Sequence, residues 1–420
     1  MFTRIQTRSF RCLKNIDARL DQFQAIVGPN ASGKTTFLDV IGFLGDLMRN
    51  RGDVLFTVNS RSANFQNLLW KCEGESFQLA LEARIPDQIR LEMPPNYKQQ
   101  FTHVRYEIEI GLKKATNEVG INTETLWLIQ PDDSYIQQRL VFPEMRSSAS
   151  SILLSSGKNR RVVVSKKSGR NDNYYPHGMK KTFTPSFNVG RSKSALANLP
   201  ADEESFPVSA WFRNLLDQGV QPFVLNSQII RRPNPPGKGR KFQTDGSNLS
   251  WVIASLRKNK ERFKEWLSHV RTALPDLDDI NTVEQPEDKY RYIVLHYHNG
   301  AIVPSWLASD GTLRLLALTI PAYLTDLQGT FLIEEPENGI HPRAIETVIQ
   351  SLLSIYNGQI IIATHSTIAL NMLDPQQILC FAKDENGATD IISGDRHPAL
   401  RDWKKGGPEL GLLFASGILS

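Results

Sequence analysis

Apolar residues mark out two kinds of segment at the ends of the chain. Phe23-Gln24-Ala25-Ile26-Val27 is a short apolar run that stops at Gly28, as a buried strand does. Beyond it Phe37, Leu38, Ile41, Leu44, Leu47 and Met48 recur at helical spacing. From Phe77 to Ile85, and again over Tyr106-Glu107-Ile108-Glu109-Ile110, apolar and polar positions alternate, which predicts half-buried antiparallel strands. Residues 248–274 read as helix through Trp251, Leu256, Phe263, Trp266 and Val270, and 290–298 as strand. Helix (313–324), strand (330–333), helix (342–356) and strand (359–363) follow, with Gly358 placed to end the second helix. Short apolar strands alternating with helices imply a parallel sheet with helices packed on it. The fold class is therefore α/β, with the two ends of the chain building one core.

The middle breaks this pattern. Between Lys158 and Lys193 stand ten Lys or Arg (Lys158, Arg160, Arg161, Lys166, Lys167, Arg170, Lys180, Lys181, Arg191, Lys193) and one acid, Asp172. A second basic stretch runs over Pro235-Pro236-Gly237-Lys238-Gly239-Arg240-Lys241. The expected division is an N-terminal part of the core (1–145), an inserted basic lobe (146–242) and a C-terminal part (243–420). The basic run could track a phosphate backbone while Tyr174, Tyr175, Phe183 and Phe187 stack on bases. It could equally be a solvated face, or a protein-docking lobe whose aromatics form a small core.

Composition adds little beyond this. The 420 residues are 40% hydrophobic and 22% charged, with net charge +5, which is ordinary globular usage. Cys12, Cys72 and Cys380 are far apart, which argues against a disulfide framework or zinc site and for a reducing compartment. The N-terminus lacks an apolar signal segment, and no apolar run is long enough to span a bilayer. A cytoplasmic location with no membrane contact is expected.

Chemistry enters at Gly28-Pro29-Asn30-Ala31-Ser32-Gly33-Lys34-Thr35, which fits G-x-x-x-x-G-K-[ST] between an apolar strand and an amphipathic helix. Glycines there let backbone N–H groups turn toward phosphate oxygens. Lys34 reaches the β- and γ-phosphates, and the Thr35 hydroxyl holds Mg²⁺. Residues Gly28 to Thr36 are thus expected to line an ATP site, with Mg²⁺ as the accompanying ion. Phe331-Leu332-Ile333 runs into Glu334-Glu335-Pro336-Glu337, and a buried strand ending in carboxylates presents them at the sheet edge. Glu334 is assigned to magnesium and Glu335 to the general base. The other reading is a solvated acidic loop. Ile360-Ile361-Ile362-Ala363-Thr364-His365 ends a further strand, expected beside the acidic one, so that His365 meets the γ-phosphate or the attacking water.

Together these motifs resemble an ABC-type ATPase head of the branch that holds RecF, SMC-type heads and the OLD-family ATPases. The nearest likeness is to the compact AAA15/AAA21-type ATPases of bacterial anti-phage or DNA-repair operons. The resemblance implies an ABC-type P-loop head with an antiparallel β lobe. It makes Ala308-Ser309-Asp310-Gly311-Thr312-Leu313-Arg314 similar to a signature loop, whose Ser309 and Gly311 contact the γ-phosphate bound by a second copy. Glu334 to Pro342 resembles the family's Walker B and D-loop, His365 its H-loop histidine, and Arg11 a basic residue that approaches the nucleotide. Ala31 replaces a usual glycine, tolerable where φ is negative, and Asp310 replaces a signature glycine. Gln66 is the candidate Q-loop residue and metal contact, or else part of a plain amphipathic segment. The tail after His365 is too short for the TOPRIM nuclease of full OLD proteins.

The resemblance implies a nucleotide-driven homodimer or higher homo-oligomer that controls a DNA-directed or anti-phage effector, a nuclease or toxin from the same operon. The alternatives are an ATP-bound scaffold that restrains a toxin without turnover, and a RecF-like repair ATPase. A transporter ATPase fits poorly. The apolar tail Leu410, Leu412, Leu413, Phe414, Ile418 and Leu419, after the Gly406-Gly407-Pro408 break, packs on the core or binds a partner.

Overall fold

In a computed structural model, residues 1–113, 116–131, 139–144, 150–179, 183–239, 241–401 and 409–419 are described. Strands β1 (Phe2–Phe10) and β2 (Leu13–Arg19) form a hairpin, and β3 (Phe23–Val27) enters the interior. After helix α1 (Lys34–Arg49) come β4 (Ser76–Arg84), β5 (His103–Leu112), β6 (Val119–Ile129), β7 (Arg160–Lys167), β8 (Asp172–Tyr174) and β9 (Ser186–Phe187). These make an eight-stranded sheet in the order β2-β1-β4-β5-β6-β7-β8-β9, antiparallel throughout.

The second sheet has six strands. They are β3, β10 (Val220–Phe223), β14 (Gly329–Glu334), β15 (Gly358–Ala363), β16 (Ile378–Lys383) and β17 (Thr389–Ser393), in the order β10-β14-β15-β3-β16-β17. All neighbours in it are parallel except β16 with β17. A small antiparallel sheet of β11 (Leu277–Glu284), β12 (Arg291–Tyr297) and β13 (Ile302–Pro304) stands apart.

The parallel strands are apolar at nearly every position because both of their faces are covered. Ile26, Leu332, Ile361 and Ala363 face one core, with α1 and the antiparallel sheet. Phe23, Ala25, Val27, Phe331, Ile333, Ile360 and Ile362 face the other, with the C-terminal helices. Buried Gln359 stitches the two sheets together. Its Oε1 accepts from the Phe2 N–H at 2.9 Å and its Nε2 donates to the Phe2 carbonyl at 2.7 Å.

Two local expectations need correction. The helix at Pro342 ends at Leu353 with Ser354 as its C-cap, and Gly358 opens β15 instead of closing the helix. The helical stretch 248–274 is two helices, Leu249–Leu256 and Lys260–Ala273. Asn259 starts the second by accepting from the Arg262 N–H at 3.2 Å.

Residues 146–242, expected to form an inserted lobe, contribute β7, β8 and β9 to the antiparallel sheet and β10 to the edge of the parallel one. Its charges and rings divide. Lys166 is buried against Asp172 at 2.9 Å. Lys193 pairs with Asp53, and Arg191 donates to the Gly111 and Glu118 carbonyls and to Asn122. Tyr174 is fully buried and stacks on Phe187 with centroids 5.0 Å apart, so it is not free to stack on a base. Lys158, Arg161, Lys167, Arg170 and Phe183 stay exposed. Lys180 and Lys181 lie outside the described residues, as do Arg240 and the Gly406-Gly407-Pro408 break. Among the described residues no helix is long and apolar enough to cross a membrane.

Candidate nucleotide site

Three loops leave adjacent parallel strands on one row of the sheet. Glu334 at the end of β14 pairs in register with Ala363 of β15, and Ala363 with Ile26 of β3. The Gly28 loop, Glu334-Glu335 and Thr364-His365 therefore meet at one edge, where ligands of open α/β sheets bind. The expectation that β15 lies beside the acidic strand is met, and β15 also separates that strand from β3.

The phosphate loop is shaped by glycines in close quarters. Gly28 has φ +151, and a Cβ there would lie 2.3 Å from the Phe381 carbonyl oxygen. Gly33 has φ +104, and a Cβ there would lie 2.5 Å from Thr389 Oγ1 and 3.0 Å from Cys12 Sγ. Thr389 Oγ1 also donates to the Ser32 carbonyl at 2.8 Å. Strands β16 and β17 thus form the wall behind the loop, a role not legible in the chain, because nothing in a motif says what its glycines face.

Ala31 has φ +61, so the negative φ that would have made it tolerable is not met. A left-handed alanine costs about 1 kcal/mol against glycine. Ala31→Gly is expected to raise the unfolding midpoint slightly, by roughly 0.5 kcal/mol of stability after the unfolded-chain entropy of glycine is counted. Thermal denaturation checks this, and a lowered midpoint would refute it.

Lys34 is buried, and its Nζ donates to the Gly28 and Pro29 carbonyls at 2.8 and 2.9 Å. Burial pulls its pKa below the ordinary lysine value, opposed by the Glu335 and Glu334 carboxylates. Thr35 Oγ1 donates to Glu334 Oε2 at 2.6 Å. One hydroxyl and one carboxylate oxygen are a fitting hard donor pair for Mg²⁺, which takes few protein oxygens and completes its shell with water and phosphate. The distance brings together two groups that are far apart in the chain.

Glu335 sits at φ +46, a strained backbone for a side chain of its size. Its N–H donates to the Ala363 carbonyl at 2.8 Å, and its own carbonyl accepts from the Asn338 N–H at 2.9 Å. These bonds fix the turn that holds its carboxylate exposed at the sheet edge. His365 has its pKa lowered by burial first and by the Lys34 ammonium second, while Glu335 and Glu337 pull it upward. The ring of Phe414 lies 6.3 Å from the imidazole. Phe414 belongs to the C-terminal helix Leu410–Ala415, which buries Leu410 and leaves Leu412 exposed. The tail therefore packs on the core and reaches the site's rim.

The remaining candidates stand elsewhere. Ser309 caps the helix Asp310–Thr319, its Oγ accepting from the Thr312 N–H at 3.1 Å. A Cβ on Gly311 would lie 2.7 Å from the Gly339 carbonyl, so this helix end rests on the loop that follows Glu335. Asp310 is paired with Arg231. Arg11, in the turn between β1 and β2 at φ +49, donates to Asp39 of α1 at 3.2 Å. Gln66 lies in the short helix Phe65–Leu68, and its Oε1 is buried with no hydrogen-bond partner among the described residues.

Comparison with known proteins gives a family and a fold. A family model described as "AAA domain, putative AbiEii toxin, Type IV TA system" matches residues 23–371. A stretch of 48 residues is 52% identical to the OLD nuclease of Thermus scotoductus, spanning 11% of this chain and 9% of that protein. Two solved structures share the fold across nearly the whole chain. An Smc head bound to the C-winged helix domain of ScpA has TM-score 0.52 and 13% identity, covering 93% of this chain and 96% of that one. An Smc head domain with an extended coiled coil, bound to the C-terminal domain of ScpA derived from Pyrococcus furiosus, has TM-score 0.51 and 11% identity, covering 96% and 98%.

Proposed function

Given that the chain belongs to the AAA family whose model it matches and has the mixed α/β fold of SMC-type ATPase heads, we propose that it hydrolyses ATP in a site shared by two copies of itself. The observation that carries this reading is the 2.6 Å contact between Thr35 and Glu334, made on the sheet edge that also presents buried Lys34 and half-buried His365. Two motifs far apart in the chain meet there, and phosphoryl transfer needs both a phosphate-binding loop and an acidic metal-holding group.

Lys34 exchanges the Gly28 and Pro29 carbonyls for β- and γ-phosphate oxygens. A magnesium ion would be held by Thr35 Oγ1 and Glu334 Oε2 and would neutralise charge building on those phosphates. Glu335 accepts the proton of the attacking water. His365, kept neutral by burial and by Lys34, hydrogen-bonds the γ-phosphate or that water. Ser309 bonds Thr312 within its own helix end, and Gly311 sits against the Gly339 carbonyl. Their exposed helix end is suited to a γ-phosphate held by a second copy. Closure of the pair excludes water and aligns the base, so turnover is coupled to assembly.

The output of the switch is control of a separate effector, a nuclease or toxin, in phage defence. The 48-residue stretch similar to an OLD nuclease supports the link to a nuclease effector. Lys158, Lys167 and Arg170 are exposed cations suited to meet nucleic acid in that setting, whereas the Arg161 guanidinium lies over the Tyr97 ring at 4.6 Å.

Mass photometry of the Glu335→Gln protein tests the shared site, with phosphate release measured beside it. ATP-Mg²⁺ is expected to double the mass of Glu335→Gln, and Lys34→Ala is expected to release no phosphate. Wild-type turnover by Lys34→Ala would sink the assignment.

A further inference from the structure

Glu337 has no part in the reaction above, yet its carboxylate is committed to the site's rim. It is half-buried on the loop between Glu335 and the helix that starts at Pro342. Its Oε1 accepts from the Thr364 hydroxyl at 2.9 Å and from the His365 N–H at 2.7 Å. Its Oε2 is buried without a hydrogen-bond partner among the described residues. A carboxylate oxygen removed from water and left unpaired is unfavourable, and such groups persist where the surroundings hold them for a function.

Both contacts of Oε1 fall on the turn that leaves β15. Thr364 Oγ1 in turn accepts from the Ser366 N–H at 3.0 Å, and the Thr364 N–H donates to the Ile26 carbonyl at 3.1 Å. The turn is therefore tied below to the strand that feeds the phosphate loop and clasped above by Glu337. The loop that carries Glu337 also carries Gly339, against whose carbonyl the Ser309–Gly311 helix end is packed.

We infer that Glu337 is a positioning residue that sets the His365 imidazole at the phosphate edge and ties it to the loop on which the Ser309–Gly311 helix end rests. The inference rests on the ATPase reading. It adds a link by which contact of a second copy with that helix end reaches His365 through one loop.

The test measures kcat and KM for ATP in wild type, Glu337→Ala, Glu337→Gln, His365→Ala and the Glu337→Ala/His365→Ala double variant. Glu337→Ala is expected to lower kcat about tenfold or more with KM within about twofold, as loss of an alignment should. Glu337→Gln keeps an oxygen that accepts both bonds and is expected to recover most of the rate. The double variant is expected to be no slower than His365→Ala alone, since Glu337 acts through that residue. Losses that multiply in the double variant, or a glutamine no better than alanine, overturn the inference.

A second readout does not depend on turnover. The imidazole resonance of His365, assigned by its disappearance in His365→Ala and read at about pH 8, where the ring is neutral with or without the Glu337 charge, is expected to shift in Glu337→Ala and return in Glu337→Gln. A resonance that stays put overturns the positioning role even in a protein that hydrolyses ATP. A wild type without turnover whose resonance does move leaves the positioning role standing and removes the ATPase reading instead.

Discussion

The Glu335→Gln protein is expected to bind ATP-Mg²⁺ as tightly as wild type and to release phosphate at least ~10²-fold more slowly, the loss that follows if Glu335 is the general base. Glutamine has the same shape and can adopt the same turn, so the bonds from the Glu335 N–H to Ala363 and from Asn338 to the Glu335 carbonyl survive. What it lacks is a lone pair basic enough to take a proton from water. Multiple-turnover phosphate release, with nucleotide affinity measured in parallel, checks both halves. A rate within threefold or so of wild type would remove Glu335 from the chemistry and return the Glu334–Glu337 segment to the status of an acidic loop.

Ser309→Arg and Lys34→Ala are each expected to be inactive alone and to recover activity when mixed. A shared site draws its phosphate loop from one copy and its Ser309 from the other. In a mixed dimer one of the two sites then receives Lys34 from the Ser309→Arg chain and Ser309 from the Lys34→Ala chain. Random pairing makes about half of all dimers mixed, so roughly a quarter of the wild-type rate returns if the two sites act independently. The arginine also removes the cap that Ser309 gives the helix Asp310–Thr319, a loss of about 1 kcal/mol that thermal denaturation would register without unfolding the head. Full activity in Ser309→Arg alone would show that the site is complete within one chain. A mixture as dead as its parts would refute the exchange of signature loops.

Much of the site was legible because its pieces are local. The Gly28–Thr35 loop carries its own geometry, and the apolar runs into Gly28, Glu334 and His365 required strands buried on both faces, as β3, β14 and β15 are. The alternation in 77–85 and 106–110 marked β4 and β5 for the same reason. Where reading failed, a residue's meaning depended on a distant neighbour. Lys166 looked like one charge in a solvated run, but Asp172 pairs with it in the interior. Tyr174 looked free to stack on a base, but Phe187 covers it. Ala31 looked acceptable on one backbone and occupies the opposite one.

By itself the sequence determined that the segments running into Gly28, Glu334 and His365 are buried strands, that a phosphate-loop motif lies between one of them and an amphipathic helix, and which acids and histidine follow the other two. Periodicity and spacing are properties of the chain alone, so they need no partner to be read. Only the tertiary structure decided that β15 lies between β3 and β14, that Thr35 reaches Glu334, that Phe381 and Thr389 wall the phosphate loop, and that Glu337 clasps the turn of His365. Those are contacts between segments hundreds of residues apart or on different strands, and a pattern along one segment says which face is buried but not what it is buried against.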